Sequence, residues 1–131
     1  IGLTATPEAE ALIDGLLKLM ADMGADFTLC FRALATGESR AYLGAHPDFA
    51  DWHARWQAAG PAQDALVQVN PAIIPRNHLV EAMIADSVSG DMQLFDALHA
   101  ALKTPFSHCD TARFIAAPNP QEVVTQTFCG T

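Results

Sequence analysis

Apolar residues recur along this chain at steps of three and four, the spacing that places side chains on one face of an α-helix. The first run follows Thr6-Pro7, where a hydroxyl N-cap precedes a first-turn proline, and it ends at Gly24. A second helix begins after Asp26, which is placed to cap it. The apolar positions of these two predicted helices are Leu12, Ile13, Leu16, Leu17 and Met20 in the first, and Phe27, Cys30, Phe31 and Leu34 in the second.

The polar segment 36–39 is predicted to be a loop, and a third helix follows it. This third helix begins at Pro47 or Asp48 and ends at Gly60-Pro61. Trp52 and Trp56 lie on one of its faces. Residues 62–69 predict one more short helix.

Two further helices form a predicted αα-hairpin in residues 75–102. Asn70-Pro71 interrupts the chain before the hairpin, and Gly90 provides its turn. Asn77 is a candidate cap of the first of these helices, and Asp91 is a candidate cap of the second. Their apolar positions are Leu79, Val80, Met83, Ile84 and Val88, then Leu94, Phe95, Leu98 and Leu102.

Beyond the hairpin, the helical periodicity fades after Pro105. We expect residues 104–131 to form an irregular tail, in which residues 121–127 make either a last short helix or an extended segment. No stretch alternates as a strand would. The predicted fold class is therefore all-α: about five or six helices in an incomplete helical bundle that ends in an irregular C-terminal tail, with residues 1–131 as a single helical region.

The charge balance limits the possible partners of the chain. Fifteen acidic and seven basic residues give a net charge of -8. This excess of acid argues against nucleic-acid binding, which needs a basic face, and against docking on anionic membranes. No apolar stretch approaches the ~20 residues that span a bilayer. Three cysteines without a CxxC pair fit a reducing, cytoplasmic location. Because residue 1 is isoleucine and no signal peptide is visible, we expect a C-terminal piece of a longer protein.

The sequence contains few of the residue patterns that are typical of metal-binding, catalytic or phosphate-binding sites. The five histidines show neither HxxxH nor HExxH pairing, and the local cluster His108-Cys109-Asp110 directs adjacent side chains away from one another. Neither a GxSxG nucleophile elbow nor a glycine-rich phosphate loop occurs. Arg76 either binds a carboxylate or phosphate or bridges two helices. We therefore assign no catalytic, cofactor-binding or metal-binding residue in this chain.

Cys129 is the one candidate redox residue. Chain ends fray and are hydrated, whereas a free cysteine is normally buried. The nearby terminal carboxylate disfavours the thiolate, so Cys129 is a slow nucleophile unless a basic group offsets that charge. To form a disulfide, Cys129 needs only a tail long enough to bring its sulfur to a second cysteine. A reactive thiol and a merely exposed thiol both stay open at this point, whereas Cys30 lies on a helix stripe and is predicted to be inert core.

Several of these residues occur in an order that resembles the C-terminal part of the selenoprotein O family, the bacterial YdiU-like proteins. The resemblance runs from about Asp14 to the end of the chain. Its most specific parts are residues 70–79 and the closing tetrapeptide. The residues that carry it are Asp26-Phe27-Thr28, Phe31-Arg32, Trp52, Arg55-Trp56, Asn70-Pro71-Ala72-Ile73-Ile74-Pro75-Arg76-Asn77-His78-Leu79, Gly90-Asp91, Pro105-Phe106 and Phe128-Cys129-Gly130-Thr131.

The resemblance implies a specific activity for a longer, bacterial parent protein. Members of the family are pseudokinases that transfer AMP from ATP to Ser, Thr or Tyr hydroxyls of other proteins, using a divalent metal, Mg or Mn. The nucleotide- and metal-binding residues lie in the preceding kinase-like portion, so none is carried over to this chain. The implied partners are that N-terminal kinase-like portion and the protein substrates of the parent.

The same resemblance implies a redox role for Cys129, because the family has a redox-active cysteine or selenocysteine near the C-terminus. Some relatives end in Cys-x-x-Cys or Cys-x-x-selenocysteine, but residues 116–131 contain only Cys129. An intramolecular disulfide would then need Cys109, Cys30 or a cysteine in the preceding portion, and we favour the last.

Two other functions compete with this interpretation. The chain is alternatively a free-standing helical module that binds a protein partner through a groove, without catalysis. A small metal-binding helical bundle is a further alternative.

Overall fold

The computed structural model describes residues 1–107 and 112–126, and all regular elements in these residues are helical. In chain order they are α1 (Pro7–Met23), α2 (Phe27–Thr36), α3 (Ser39–Leu43), α4 (Phe49–Ala58), α5 (Gln63–Val69), α6 (Asn77–Val88), α7 (Gln93–Leu102), α8 (Ala112–Ile115) and a 3-10 helix (Pro120–Glu122). Six of the α-helices have seven or more residues, which confirms the predicted all-α class. None of the described helices is both long and apolar enough to cross a membrane.

The chain divides into two compact units, Ile1–Ala72 and Ile73–Thr131. The first unit contains α1 to α5, and the second contains α6, α7, α8 and the 3-10 helix. Each unit has its own buried side chains, so the two are described in turn.

Local signals in the sequence define the ends of α1 and α2. The Oγ1 atom of Thr6 accepts a hydrogen bond from the backbone N–H of Ala9 at 3.2 Å, and Oδ1 of Asp26 accepts one from Leu29 at 2.9 Å. Gly24 ends α1 in the left-handed conformation, with φ of 58°, which a glycine adopts without a Cβ clash. All three residues have the predicted capping roles.

Two tryptophans on α4 organise the core of the first unit. Trp52 and Trp56 are almost fully buried and stack with their ring centroids 5.8 Å apart. Each also satisfies its one polar atom, because the Trp52 Nε1–H donates to the Leu12 carbonyl at 2.8 Å and the Trp56 Nε1–H donates to the Ile1 carbonyl at 2.9 Å. A Cβ atom on Gly15 would lie only 3.0 Å from Cδ1 of Trp52, so the absent side chain lets α1 approach α4 closely.

A buried arginine links α2 to the end of α5. Arg32 is 7% exposed, and its Nη1 donates to the carbonyls of Val67 at 3.0 Å and Asn70 at 2.9 Å. The last carbonyls of a helix have no partner within the helix itself. Arg32 therefore satisfies carbonyls at the end of α5 and at its C-cap Asn70 while its own charge is hydrogen-bonded away from water.

The second unit is built around the α6–α7 hairpin, as predicted. The backbone N–H of Ile73 donates to the carbonyl of Pro105 at 3.1 Å, which joins the two ends of the hairpin. Ile73, Leu98 and Phe114 are the large apolar side chains that this unit buries among the described residues. No residue of α6 is buried.

The structure corrects part of the predicted loop at residues 36–39. Ser39 is not in a loop but begins the five-residue helix α3, and both Ser39 and Leu43 are buried. A helix this short has no periodicity that could be read from sequence, because it contains little more than one turn. It forms because tertiary contacts bury one of its faces.

The predicted apolar stripes are wider than the buried ones. Ile13 and Leu17 of α1 are 37% and 41% exposed, and Phe27 of α2 is 60% exposed although its ring stacks on Phe31. Leu12, Leu16 and Met20 are buried as expected. The core of the first unit therefore contacts a narrower face of α1 than its apolar pattern covers.

The candidate caps of the hairpin helices also need correction. Asn77 is the first residue of α6 and not its cap, because Arg76 occupies the N-cap position, where its side chain makes no capping hydrogen bond. Asp91 lies one residue before the N-cap Met92 of α7, yet its Oδ1 accepts a hydrogen bond from the Gln93 N–H at 2.9 Å. Asp91 thus satisfies a backbone donor of the first turn from one position earlier than predicted.

The C-terminal part is mainly irregular, as predicted, with one turn of helix in α8. Of the two alternatives for residues 121–127, the structure has neither in full: the 3-10 helix ends at Glu122, and residues 123–126 have no regular structure. Thr127 lies outside the described residues.

We predict that Arg32→Met lowers the free energy of unfolding by about 2–4 kcal/mol, because two partly buried carbonyls lose a charged donor. Urea unfolding followed by tryptophan fluorescence measures this change, since Trp52 and Trp56 lie in the same unit. Arg55→Met is the matched control: its side chain is 60% exposed and pairs with Asp51 on the surface, so its effect should stay within about 0.5 kcal/mol. Equal effects of the two substitutions would show that the Arg32 contacts do not stabilise the unit.

Candidate functional site

Arg76, the candidate anion-binding residue, occupies the N-cap position of α6. The whole residue is only 7% exposed, and its backbone N–H donates to the carbonyl of Ile74 at 2.9 Å. An arginine that binds a soluble carboxylate or phosphate has to present its guanidinium to solvent. The burial of Arg76 therefore favours the structural alternative.

Cys30 lies in the core, as its helical stripe predicts. It is fully buried, and burial, with a smaller contribution from the charge of Asp26, raises the pKa of its thiol to about 11. The thiolate is the reactive form of cysteine, so Cys30 stays protonated and unreactive at neutral pH. This leaves Cys109 and Cys129 as the cysteines that could react.

The candidate redox residue Cys129 lies outside the described residues, as does the cluster His108-Cys109-Asp110. The redox assignment of Cys129 therefore stays a prediction. Within 1–107 and 112–126, no three His, Cys, Asp or Glu side chains come together so that they could hold a metal ion.

The structure brings together three polar residues that the sequence did not connect. Asp22 accepts a hydrogen bond from Lys18 Nζ at 2.8 Å and lies 3.4 Å from Nε2 of His46. The Lys18 hydrogen bond lowers the pKa of the Asp22 carboxyl, and the same contact raises the pKa of Lys18. Nδ1 of His46 accepts from the backbone N–H of Asp48 at 3.1 Å, just before α4 begins. The cluster therefore links the C-terminal part of α1 to the segment that precedes α4.

The i,i+4 spacing of Lys18 and Asp22 is visible in the sequence. His46 is 24 positions beyond Asp22, so no local pattern predicts its approach.

A shallow groove of about 350 Å³ lies between α1 and α4. Its lining residues are Gly15, Lys18, Leu19, Asp48, Asp51, Trp52 and Arg55. Both of its cations are already engaged, Lys18 with Asp22 at 2.8 Å and Arg55 with Asp51 at 3.1 Å. The groove therefore resembles a solvated seam between two helices more closely than an anion site.

His53 packs between two aromatic side chains of α4. Its ring centroid lies 5.3 Å from that of Phe49 and 5.5 Å from that of Trp56. Burial, and to a smaller extent the positive charge of Arg40, lowers the pKa of His53. His53 is therefore held neutral as part of the aromatic packing and shows no partner for proton transfer among the contacts described.

Comparison with known proteins identifies the chain more clearly than any of these clusters. No family model matches it. Several curated proteins do match, among them three described here that carry the name protein nucleotidyltransferase YdiU. The Roseobacter denitrificans protein is 44% identical over 97% of this chain, the Mycolicibacterium paratuberculosis protein is 41% identical over 100%, and the Rhodopseudomonas palustris protein is 37% identical over 98%. The chain corresponds to the C-terminal region of the YdiU family.

The similarity to YdiU proteins covers the whole chain and not only the residues after Asp14. The chain spans less than a third of the length of these relatives, between 28% and 30% of each. The greater part of a YdiU protein therefore lies before the region described here.

The YdiU-like segment 70–79 has a structural role in this chain. Asn70 is the C-cap of α5, and its carbonyl accepts a hydrogen bond from Arg32. Ala72 and Ile73 are buried, and Arg76 is the N-cap of α6. The segment thus contains the boundary at which the first unit ends and the second begins. The other specific part of the resemblance, the tetrapeptide around Cys129, lies outside the described residues.

We predict that the stability of the first unit falls as the pH drops below about 6.5, the ordinary pKa of histidine. The folded pKa of His53 is lowered, so the unfolded chain binds the proton more readily and protonation favours unfolding. His53→Gln should show a smaller fall in the urea midpoint between pH 7.5 and pH 5.5 than the unsubstituted chain. His99→Gln, on the exposed side of α7, is the control. An unchanged pH dependence in His53→Gln would contradict this assignment.

Proposed function

We propose that the chain is the C-terminal helical region of a protein adenylyltransferase. The full-length protein would transfer AMP from ATP to Ser, Thr or Tyr hydroxyls of other proteins and release pyrophosphate. The supporting observation is the identity of 37–44% over nearly the whole chain to proteins named protein nucleotidyltransferase YdiU. ATP and Mg or Mn would bind in the preceding kinase-like portion, and the protein would be cytoplasmic.

The proposed role of residues 1–131 is to support the kinase-like portion and to present Cys129. This role is supported by the charged and thiol groups of the described residues, several of which are already hydrogen-bonded, paired or buried. Arg32 is engaged by backbone carbonyls, Lys18 and Arg55 are paired with carboxylates, and Cys30 is buried with a raised pKa. These interactions serve folding, and none of them leaves a group poised for phosphoryl chemistry.

The redox part of the proposal rests on Cys129 alone. Its disulfide partner would be a cysteine of the preceding portion. Cys30 is a poor partner because it is fully buried, and a disulfide requires its two Cα atoms within about 7 Å. Formation of the bond would oxidise two thiols by two electrons, which a cellular disulfide or peroxide would accept, and reduction by thiols would reverse it.

A free-standing helical interaction module is the second candidate function. The exposed apolar residues of the hairpin favour it, since Ile84 is 48% exposed and Val88 is 85% exposed. The mass of the natural gene product separates the two candidates. A natural product of about the mass of this chain, 14.0 kDa, would favour the module.

We predict that the full-length protein labels protein substrates when it is incubated with ATP labelled at the α-phosphate and with manganese. Residues 1–131 alone should give no labelling, because the proposed nucleotide-binding residues precede them. A full-length protein lacking these residues provides the third sample and should lose most of its activity if the region supports the kinase-like portion. Labelling by residues 1–131 alone would overturn the proposal.

We predict that oxidised full-length protein contains one disulfide that Cys129→Ser removes. Mass spectrometry under non-reducing conditions, with free thiols alkylated, counts the bonds. Cys30→Ala is the matched control and should leave the count unchanged, because the Cys30 thiol is buried. If Cys129→Ser removes one free thiol and no disulfide, Cys129 has no redox partner in the protein.

A further inference from the structure

The α6–α7 hairpin has four large apolar side chains that are exposed to solvent. Ile84 and Val88 lie one helical turn apart on α6, and they are 48% and 85% exposed. Met92 and Phe95, on the other side of the connection, are 46% and 38% exposed. These four residues are called the hairpin-end residues below.

The contacts of helix α6 within the described residues do not account for its stability. It has twelve residues, none of them buried. Isolated helices of roughly 12–15 residues are marginal in water, and most helices in proteins are stabilised by packing one face. By contrast, α1 buries five residues and α4 buries three. The apolar face of α6 is therefore one that a further surface would stabilise.

The α6–α7 hairpin carries an excess of negative charge, and its nearest cations in sequence are the flanking residues Arg76 and Lys103. Residues 77–102 contain Glu81, Asp86, Asp91 and Asp96, and no lysine or arginine. An exposed apolar surface on a hairpin of net negative charge is complementary to an apolar surface with a lysine- or arginine-rich rim.

We propose that the hairpin-end residues dock on the preceding portion of the same polypeptide, on an apolar surface rimmed by basic side chains. The proposal rests on the proposed function, because it requires that the chain be the C-terminal region of a longer protein. The lengths of the relatives support that occupant, since this chain corresponds to 28–30% of each and the greater part of each precedes it. A second copy of this chain fits less well, because two hairpins would bring eight carboxylates together without a cation.

Hydrogen exchange of the backbone amides of 77–102 tests the docking. The expected result is that these amides exchange at least about tenfold more slowly in the full-length protein than in residues 1–131 alone. Equal exchange rates in the two proteins would overturn the proposal. Protection that appears in residues 1–131 alone and rises with concentration would also overturn it, because the occupant would then be a second copy.

Val88→Lys is the informative substitution, because an exposed residue tolerates it in the isolated chain and a basic rim repels it in the docked state. In the full-length protein it should abolish the tenfold protection of 77–102. Val69→Lys is the matched control: Val69 is also a valine near a helix end, it is 65% exposed, and it lies in the first unit. Protection that survives Val88→Lys would overturn the assignment of this face.

The docking test is separate from the test of AMP transfer. Protection of 77–102 in a protein without AMP transfer would support the docking and reject the proposed activity, whereas AMP transfer without protection would do the reverse. The same exchange comparison on the full-length Roseobacter denitrificans relative and its isolated C-terminal region, at the positions aligned with 77–102, provides a second measurement.

Discussion

The first unit depends on the burial of one positive charge. Arg32 lies on α2, and its two carbonyl partners, Val67 and Asn70, lie 35 and 38 positions further along the chain. A buried guanidinium requires hydrogen-bond acceptors, and the carbonyls at the end of α5 require donors. Each group therefore supplies the hydrogen-bond partner that the other needs away from water. Because the two carbonyls are fixed by one side chain, the position at which the chain leaves α5 is fixed as well.

The features that could be predicted from sequence are those determined by neighbouring residues. Thr6, Asp26 and Gly24 cap their helices as expected because capping involves residues three or four positions apart. The helix at Ser39 could not be predicted, because one turn gives no periodic signal and its stability comes from distant contacts. The exposure of Ile13 and Leu17 was missed for a related reason: an apolar stripe shows which face can be buried, and the rest of the fold decides how much of it is.

The same division holds for the candidate site. The burial of Cys30 followed from its place on an apolar stripe, and the family followed from residues in a characteristic order. The approach of His46 to Asp22 could not be predicted, because it depends on how the chain returns to α1 before α4. For Arg76, the sequence allowed both an anion site and a structural role, and only its low exposure distinguishes them.

The roles of residues 70–79 have a consequence for how such chains are classified. This segment carries the resemblance to the family, yet its residues end α5, include the buried Ala72 and Ile73, and supply the N-cap and the first residues of α6. The segment therefore marks where one compact unit ends and the other begins, and its described roles are structural. A family label that rests on this segment reports a shared architecture at this boundary, and the proposed AMP transfer needs its own test in the full-length protein.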